Sequence, residues 1–184
     1  MTGRHPLLLD LAGRRVVVVG GGPVAASKLE ALLKADADVT VVAPEVHAAI
    51  RAAGVRIETR AFQPSDLDGA WLVVAAATPD VNAEVAREAE RRHLFVNAVD
   101  DPANASAYLG GVVRRAGVTI AISTSGDAPA LAGVLREGID AVLPEDLERW
   151  TASARAMRAR WKTEGVPMAE RRPQLIEALK ELYP

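Results

Sequence analysis

Arg15-Val-Val-Val-Val19 runs straight into Gly20-Gly21-Gly22, and Pro23-Val24-Ala25 follow; few folds can host such a junction. The β-branched run, bounded by Gly13 and Gly20, reads as a buried strand. Helical spacing begins at Pro23, with Val24, Leu29, Leu32 and Leu33 on one broad apolar face. Gly20, Gly22 and Ala25 thus satisfy G-x-G-x-x-A at a strand-to-helix turn. Each position has a mechanical reason: Gly20 permits the tight turn, Gly22 lets the backbone approach a pyrophosphate, and Ala25 allows close helix-to-strand packing. N–H groups at the helix start, with the positive end of its dipole, would hold the phosphates. Pro23 has no N–H and contributes only shape. A bare turn is the alternative, but a second strand over Val39 to Val42, closed by Pro44, completes a βαβ unit of about 30 residues and favours nucleotide binding.

The alternation continues. A weak strand is expected over 55–59, a continuous apolar strand over 71–76, a helix over 81–92 and another strand over 94–99. Such repetition predicts an α/β fold, a Rossmann-type parallel sheet with helices on both faces. Aromatics are only 4% of the chain, so Val, Leu, Ile and Ala must fill the core, as suits a sheet buried on both sides. The character changes at Gly110-Gly111. A strand over 118–122 precedes a polar turn, Ser123 to Asp127, and a helix runs from near Pro129 to Pro144 with Leu131, Val134, Leu135, Ile139 and Val142 on one face. Leu147, Trp150, Ala154, Met157 and Trp161 mark a helix over 145–161, and a last helix is expected beyond Pro173. The expected division is a nucleotide-binding domain over 1–111, a small segment over 112–145 and a helical C-terminal part over 146–184.

The formal net charge of −2 provides no global field for nucleic acid or anionic membrane. Cysteine is absent, and the three histidines have no metal-site spacing, so no metal ligands are assigned. No apolar run approaches the roughly 20 residues of a membrane span. Met1 to Asp10 lacks the basic start and apolar core of a signal peptide, and the expectation is a cytoplasmic protein.

Candidate chemistry collects at strand ends, where open α/β sheets bind ligands. The second strand ends without a carboxylate, since Glu45 comes only after Pro44, and no arginine follows it at once. The choice between NAD and NADP stays open, with a lean to NAD. Thr78 could meet the cofactor or cap the following helix. Asp100, in Asn97-Ala-Val-Asp100-Asp101-Pro102, could act as general base, or it could merely form a turn, a role that Asp101 before Pro102 suits better.

Val-Val-Gly-Gly-Gly-Pro-Val-Ala with Lys28, Ala-Ala-Thr at 76–78, Asn97-Ala-Val-Asp100 and Ile122-Ser-Thr-Ser-Gly126-Asp-Ala-Pro129 resemble precorrin-2 dehydrogenases, the small proteins or N-terminal modules of sirohaem synthases that make sirohydrochlorin. The resemblance covers nearly the whole chain in order, from Leu7 to about Trp161, although Ser125 replaces the first glycine of the family's Ser/Thr-Gly-Gly turn. It implies NAD-dependent oxidation of a tetrapyrrole, precorrin-2, with Asp100 as the catalytic acid–base group. Some members also insert ferrous iron. Cofactor contacts are implied at Pro23, Val24, Pro44 and Glu45, beside Gly20, Gly22, Ala25 and Thr78, and Asn97, Ser123 and Thr124 become candidates for substrate binding. A homodimer joined through the segment from Val112, including the helix that starts at Pro129, is also implied. With no methyltransferase module after residue 184, a separate enzyme is expected to supply precorrin-2. The rival expectations are an NAD(H)-sensing module and a dehydrogenase for another acidic metabolite. Arginines and lysines between Arg149 and Arg172 could meet substrate carboxylates or form a solvated helix face.

Overall fold

The computed structural model describes residues 4–124 and 128–183, as two compact units that divide between Leu109 and Gly110. In the first unit β1 (Arg15–Val19), β2 (Asp38–Val42), β3 (Arg56–Glu58), β4 (Leu72–Ala75) and β5 (Phe95–Ala98) form one parallel sheet in the order β3-β2-β1-β4-β5. The chain winds outward from β1 to β3, then crosses to β4 on the other side of β1. Ligands of such sheets bind at this reversal, beyond the carboxyl ends of β1 and β4.

Alternation of side chains along the strands feeds two cores. Val16, Val18, Val39, Val41 and Val74 pack under α1 (Pro23–Leu33) and the short α2 (Ala48–Ala52). Val17, Val19, Val73, Ala75 and Val96 pack under α3 (Pro79–Arg91), joined by Leu67 from a 3-10 turn over Pro64–Leu67. Both faces of β1 are therefore dry, which is why its sequence is an unbroken valine run instead of an alternation. On α1 the buried residues are Ala25, Leu29 and Leu32. Val24, assigned from its spacing to the apolar face, is 46% exposed and lines a cleft at the first turn of α1 instead of packing on the sheet.

The second unit opens with an antiparallel hairpin, β6 (Gly111–Arg115) and β7 (Val118–Ile122), closed by the two-residue turn Ala116-Gly117. Both turn residues have positive φ, 51° and 77°, the geometry that matches strand twist in two-residue hairpins. α4 (Pro129–Val142) packs against β6, followed by α5 (Leu147–Glu164) and α6 (Met168–Lys180). α6 begins at Met168 and carries Pro173 inside it, where the sequence reading had the helix start beyond that proline. A proline so near the helix start forfeits one hydrogen bond to the preceding turn. Two others anchor this turn: Trp161 Nε1 donates to Gln174 Oε1 (2.6 Å) and Arg171 Nε donates to the Val166 carbonyl (2.9 Å). No described helix is long and apolar enough to cross a membrane.

Candidate cofactor cleft

The three glycines of the β1–α1 turn differ in what requires them. Gly20 has φ 125°, and a β-carbon there would lie 2.2 Å from the Ala76 carbonyl oxygen. One on Gly21 would lie 1.9 Å from the carbonyl oxygen of Glu45. Both positions are closed by neighbouring backbone, so nothing larger fits. Gly22, the N-cap of α1, has an ordinary φ of −80°, and a β-carbon there would meet nothing within 4 Å. Neither conformation nor protein packing asks for glycine at 22. The open space above it, next to the first turn of α1, fits a dinucleotide whose phosphates approach the backbone closely. The Ala26 N–H already bonds to the Gly22 carbonyl (3.1 Å), leaving the N–H groups of Val24 and Ala25 as the donors ahead of the helical ladder.

Pro44 and Glu45 are exposed beside this turn, tied there by the His47 N–H, which donates to the Gly21 carbonyl (2.7 Å). The adjoining cleft, about 620 Å³, takes Val24 from α1, Ala76 and Ala77 after β4, Asp80 and Asn82 from the start of α3, and Asp100, Asp101 and Asn104 after β5. Among the described residues its charged lining is entirely acidic, which separates it chemically from the amide-rich glycine turn. Phosphates suit the turn. The carboxylate end suits groups that release protons.

Asp100 sits at φ 56°, a left-handed conformation that Asp tolerates better than most residues, in the turn that closes β5. Its carboxylate makes no hydrogen bond or ion pair among the described residues, and it is exposed in the cleft. Asp101 is engaged instead: it occupies the N-cap position of a 3-10 turn over Pro102–Asn104 without a side-chain capping bond, and Asn104 Nδ2 donates to its Oδ2 (2.7 Å). Thr78 is the N-cap of α3, but its hydroxyl makes no capping bond. Its carbonyl accepts the Asn82 N–H (2.9 Å), so the side-chain capping considered from sequence does not occur.

Asn97 lies opposite Val74 in the β4–β5 register and is 6% exposed. Its Nδ2 donates to the Ala107 carbonyl (2.9 Å), its Oδ1 is buried without a partner among the described residues, and it does not line the cleft. Ser123 and Thr124 follow β7 in the second unit, exposed and half-buried respectively. The rest of their turn, Ser125-Gly126-Asp127, lies outside the described residues. Among the described residues no cluster of His, Asp and Glu could hold a metal ion. Two cleft features escape a motif search: the steric demand on Gly21 and the burial of Asn82. An apolar-face count of α3 that asked why an Asn sits beside Val81 and Val85 could have found the second.

A family model described as "Putative NAD(P)-binding" matches residues 7–111. The chain is 40% identical over 172 residues to siroheme synthase 1 of Aeromonas hydrophila, covering 91% of this chain and 37% of that protein. It is 37% identical over 183 residues to the siroheme synthase of Zymomonas mobilis, covering 97% of this chain and 39% of the relative. The chain therefore spans little more than a third of these relatives' length. A solved structure titled "SirC, precorrin-2 dehydrogenase" superposes with a TM-score of 0.73 at 26% identity, covering 95% of this chain and 88% of that one.

Proposed function

The chain belongs to the NAD(P)-binding family whose model spans residues 7–111, and from that membership, together with its likeness to siroheme synthases and to a precorrin-2 dehydrogenase, we propose that it oxidises precorrin-2 to sirohydrochlorin with NAD as cofactor. The observation that carries the reading is one cleft in which an open, amide-lined glycine turn adjoins an unpaired strand-end carboxylate. Bound there, NAD supplies the hydride acceptor. The N–H groups of Val24 and Ala25 and the open backbone at Gly22 would hold its pyrophosphate, with Gly20 and Pro23 shaping the turn and Pro44, Glu45 and Thr78 flanking it. Asp100 takes up the proton that leaves the substrate carbon as the hydride departs. Its neighbour Asp101, already bonded to Asn104, fixes the turn that presents Asp100. Asn97, Ser123 and Thr124 serve the substrate, Asn97 through the 105–107 segment that it ties to β5.

The same proposal makes 1–111 the cofactor domain, 112–145 the segment through which two copies pair, and 146–184 a helical part, in a cytoplasmic enzyme. The test is to incubate the protein with precorrin-2 and NAD and to follow NADH absorbance. Appearance at a catalytic rate is expected. NAD binding without NADH formation would overturn the oxidation and leave a sensing module, and turnover of a different acidic metabolite alone would move the substrate. Repeating the assay with ferrous iron reads whether iron is a second substrate.

A further inference from the structure

Asn82 belongs to neither the glycine motif nor the strand-end acids, yet its side chain grips the floor of the candidate cofactor cleft. It is 4% exposed on the first turn of α3. Its Oδ1 accepts the Ala77 N–H (3.0 Å), and its own N–H donates to the Thr78 carbonyl (2.9 Å). The amide it accepts from belongs to the peptide joining Ala76 to Ala77. The other end of that peptide, the Ala76 oxygen, is the group that closes off Gly20. A single peptide plane is thus held by Asn82 on its N–H side and pressed against the phosphate turn on its oxygen side. Upstream, the Ala76 N–H is fixed to the Val19 carbonyl (2.8 Å), and the Gly20 N–H to the Val42 carbonyl (2.9 Å). The plane can therefore rotate only where Asn82 restrains it.

We propose that Asn82 is a positioning residue for the dinucleotide, holding the Ala76–Ala77 peptide in the orientation that shapes the glycine turn. The inference rests on NAD binding in this cleft and not on the identity of the oxidised substrate. Ala77 is exposed, so without Asn82 its amide turns to water, and the loss falls on the turn's geometry more than on folding.

Asn82→Ala and the milder Asn82→Ser test this, with binding of NAD followed by calorimetry and the Ala77 amide by hydrogen exchange. Both variants are expected to raise the Kd and the KM for NAD about tenfold, as for one lost hydrogen bond, with kcat within about twofold. The Ala77 amide should lose its protection. Asp66→Asn, remote from the cleft, should lower the thermal midpoint and leave the Kd for NAD unchanged. A Kd for Asn82→Ser within twofold of the parent protein overturns the proposal, as does a loss confined to kcat. If Asn82→Ala does not fold, the Asn82→Ser result decides. An absence of NAD binding by the unaltered protein would overturn the cofactor reading as well, and is recognised because no variant is needed to see it.

Discussion

Gly21 and Gly22 are neighbours of one residue type under opposite constraints, and substitution should separate them. A methyl group on Gly21 collides with the Glu45 carbonyl, a backbone atom that moves only with the whole β2–α2 connection. Gly21→Ala should cost about 2 kcal/mol or more of stability, measured by denaturant unfolding, whether or not cofactor is present. A β-carbon on Gly22 enters open space, so Gly22→Val should leave the fold nearly intact, losing about 1 kcal/mol or less for the poorer N-cap. Its effect belongs to binding: the Kd for NAD should rise by about thirtyfold, the equivalent of roughly 2 kcal/mol of crowding at the pyrophosphate. Unchanged affinity would reduce the turn to a turn. Asp100→Asn is the third substitution at this scale. Asn accepts the left-handed backbone as well as Asp does, so stability should hold within about 0.5 kcal/mol while kcat falls about a hundredfold or more. Normal turnover would remove the carboxylate from the mechanism.

At the scale of elements, the connection between β3 and β4 hangs on one buried carboxylate. Asp66 accepts two bonds from Arg60, at 2.6 and 2.8 Å, and one from the Gln63 N–H, at 2.8 Å. The Arg60 hydrogen bonds, more than any other influence, hold its carboxyl below the usual carboxylate range, against the opposing effect of burial. A carboxyl whose pKa is depressed by folding stabilises the fold above its unfolded pKa and ceases to do so as pH falls through the native one. Asp66→Asn should therefore cost about 1–3 kcal/mol near neutral pH, and the gap should begin to narrow as pH falls below about 4 and close only as it passes the lower native value. Urea unfolding at the two pH values checks this; a gap that persists in acid would assign the loss to packing. The surrounding elements were unequally legible. β1, α1, β2, β4 and α3 announce themselves because burial on both faces enforces apolar runs, and glycine or proline marks their ends. β6 was missed because Val112 and Val113 are adjacent instead of alternating, and its pairing depends on a partner strand read separately. The Ala116-Gly117 turn between two β-rich runs was the available signal. α2 is a single buried Ile50 with small neighbours, too short to show a period. The site divided similarly. Spacing marked Gly20 and Gly22 as candidates and a strand-end position marked Asp100, whereas Asn82 shows itself only through what it touches, and touching is not periodic.

For the molecule as a whole, the apolar face read from α4 presents a problem that the chain alone does not solve. Ala132 is buried and Gly111 of β6 lies against the Ala132 carbonyl, so one side of the helix is used. Leu131, Val134, Leu135 and Val142 share another side and remain 50%, 64%, 43% and 79% exposed. Isolated exposed hydrophobics are ordinary, but four on a single face within three turns form a patch of the kind that marks an interface. A two-fold axis would set this face against itself and bury it without any change in sequence. Val134→Glu then places like charges opposite one another at the centre of the patch, where each would lose water and gain no partner. Sedimentation should find the parent protein as a dimer and Val134→Glu as a folded monomer. The variant's NAD affinity should be preserved, because the glycine turn belongs to the first unit. A parent protein that sediments as a monomer at high concentration would leave α4 without its second copy, and the pairing proposal would fail while the cofactor cleft stood.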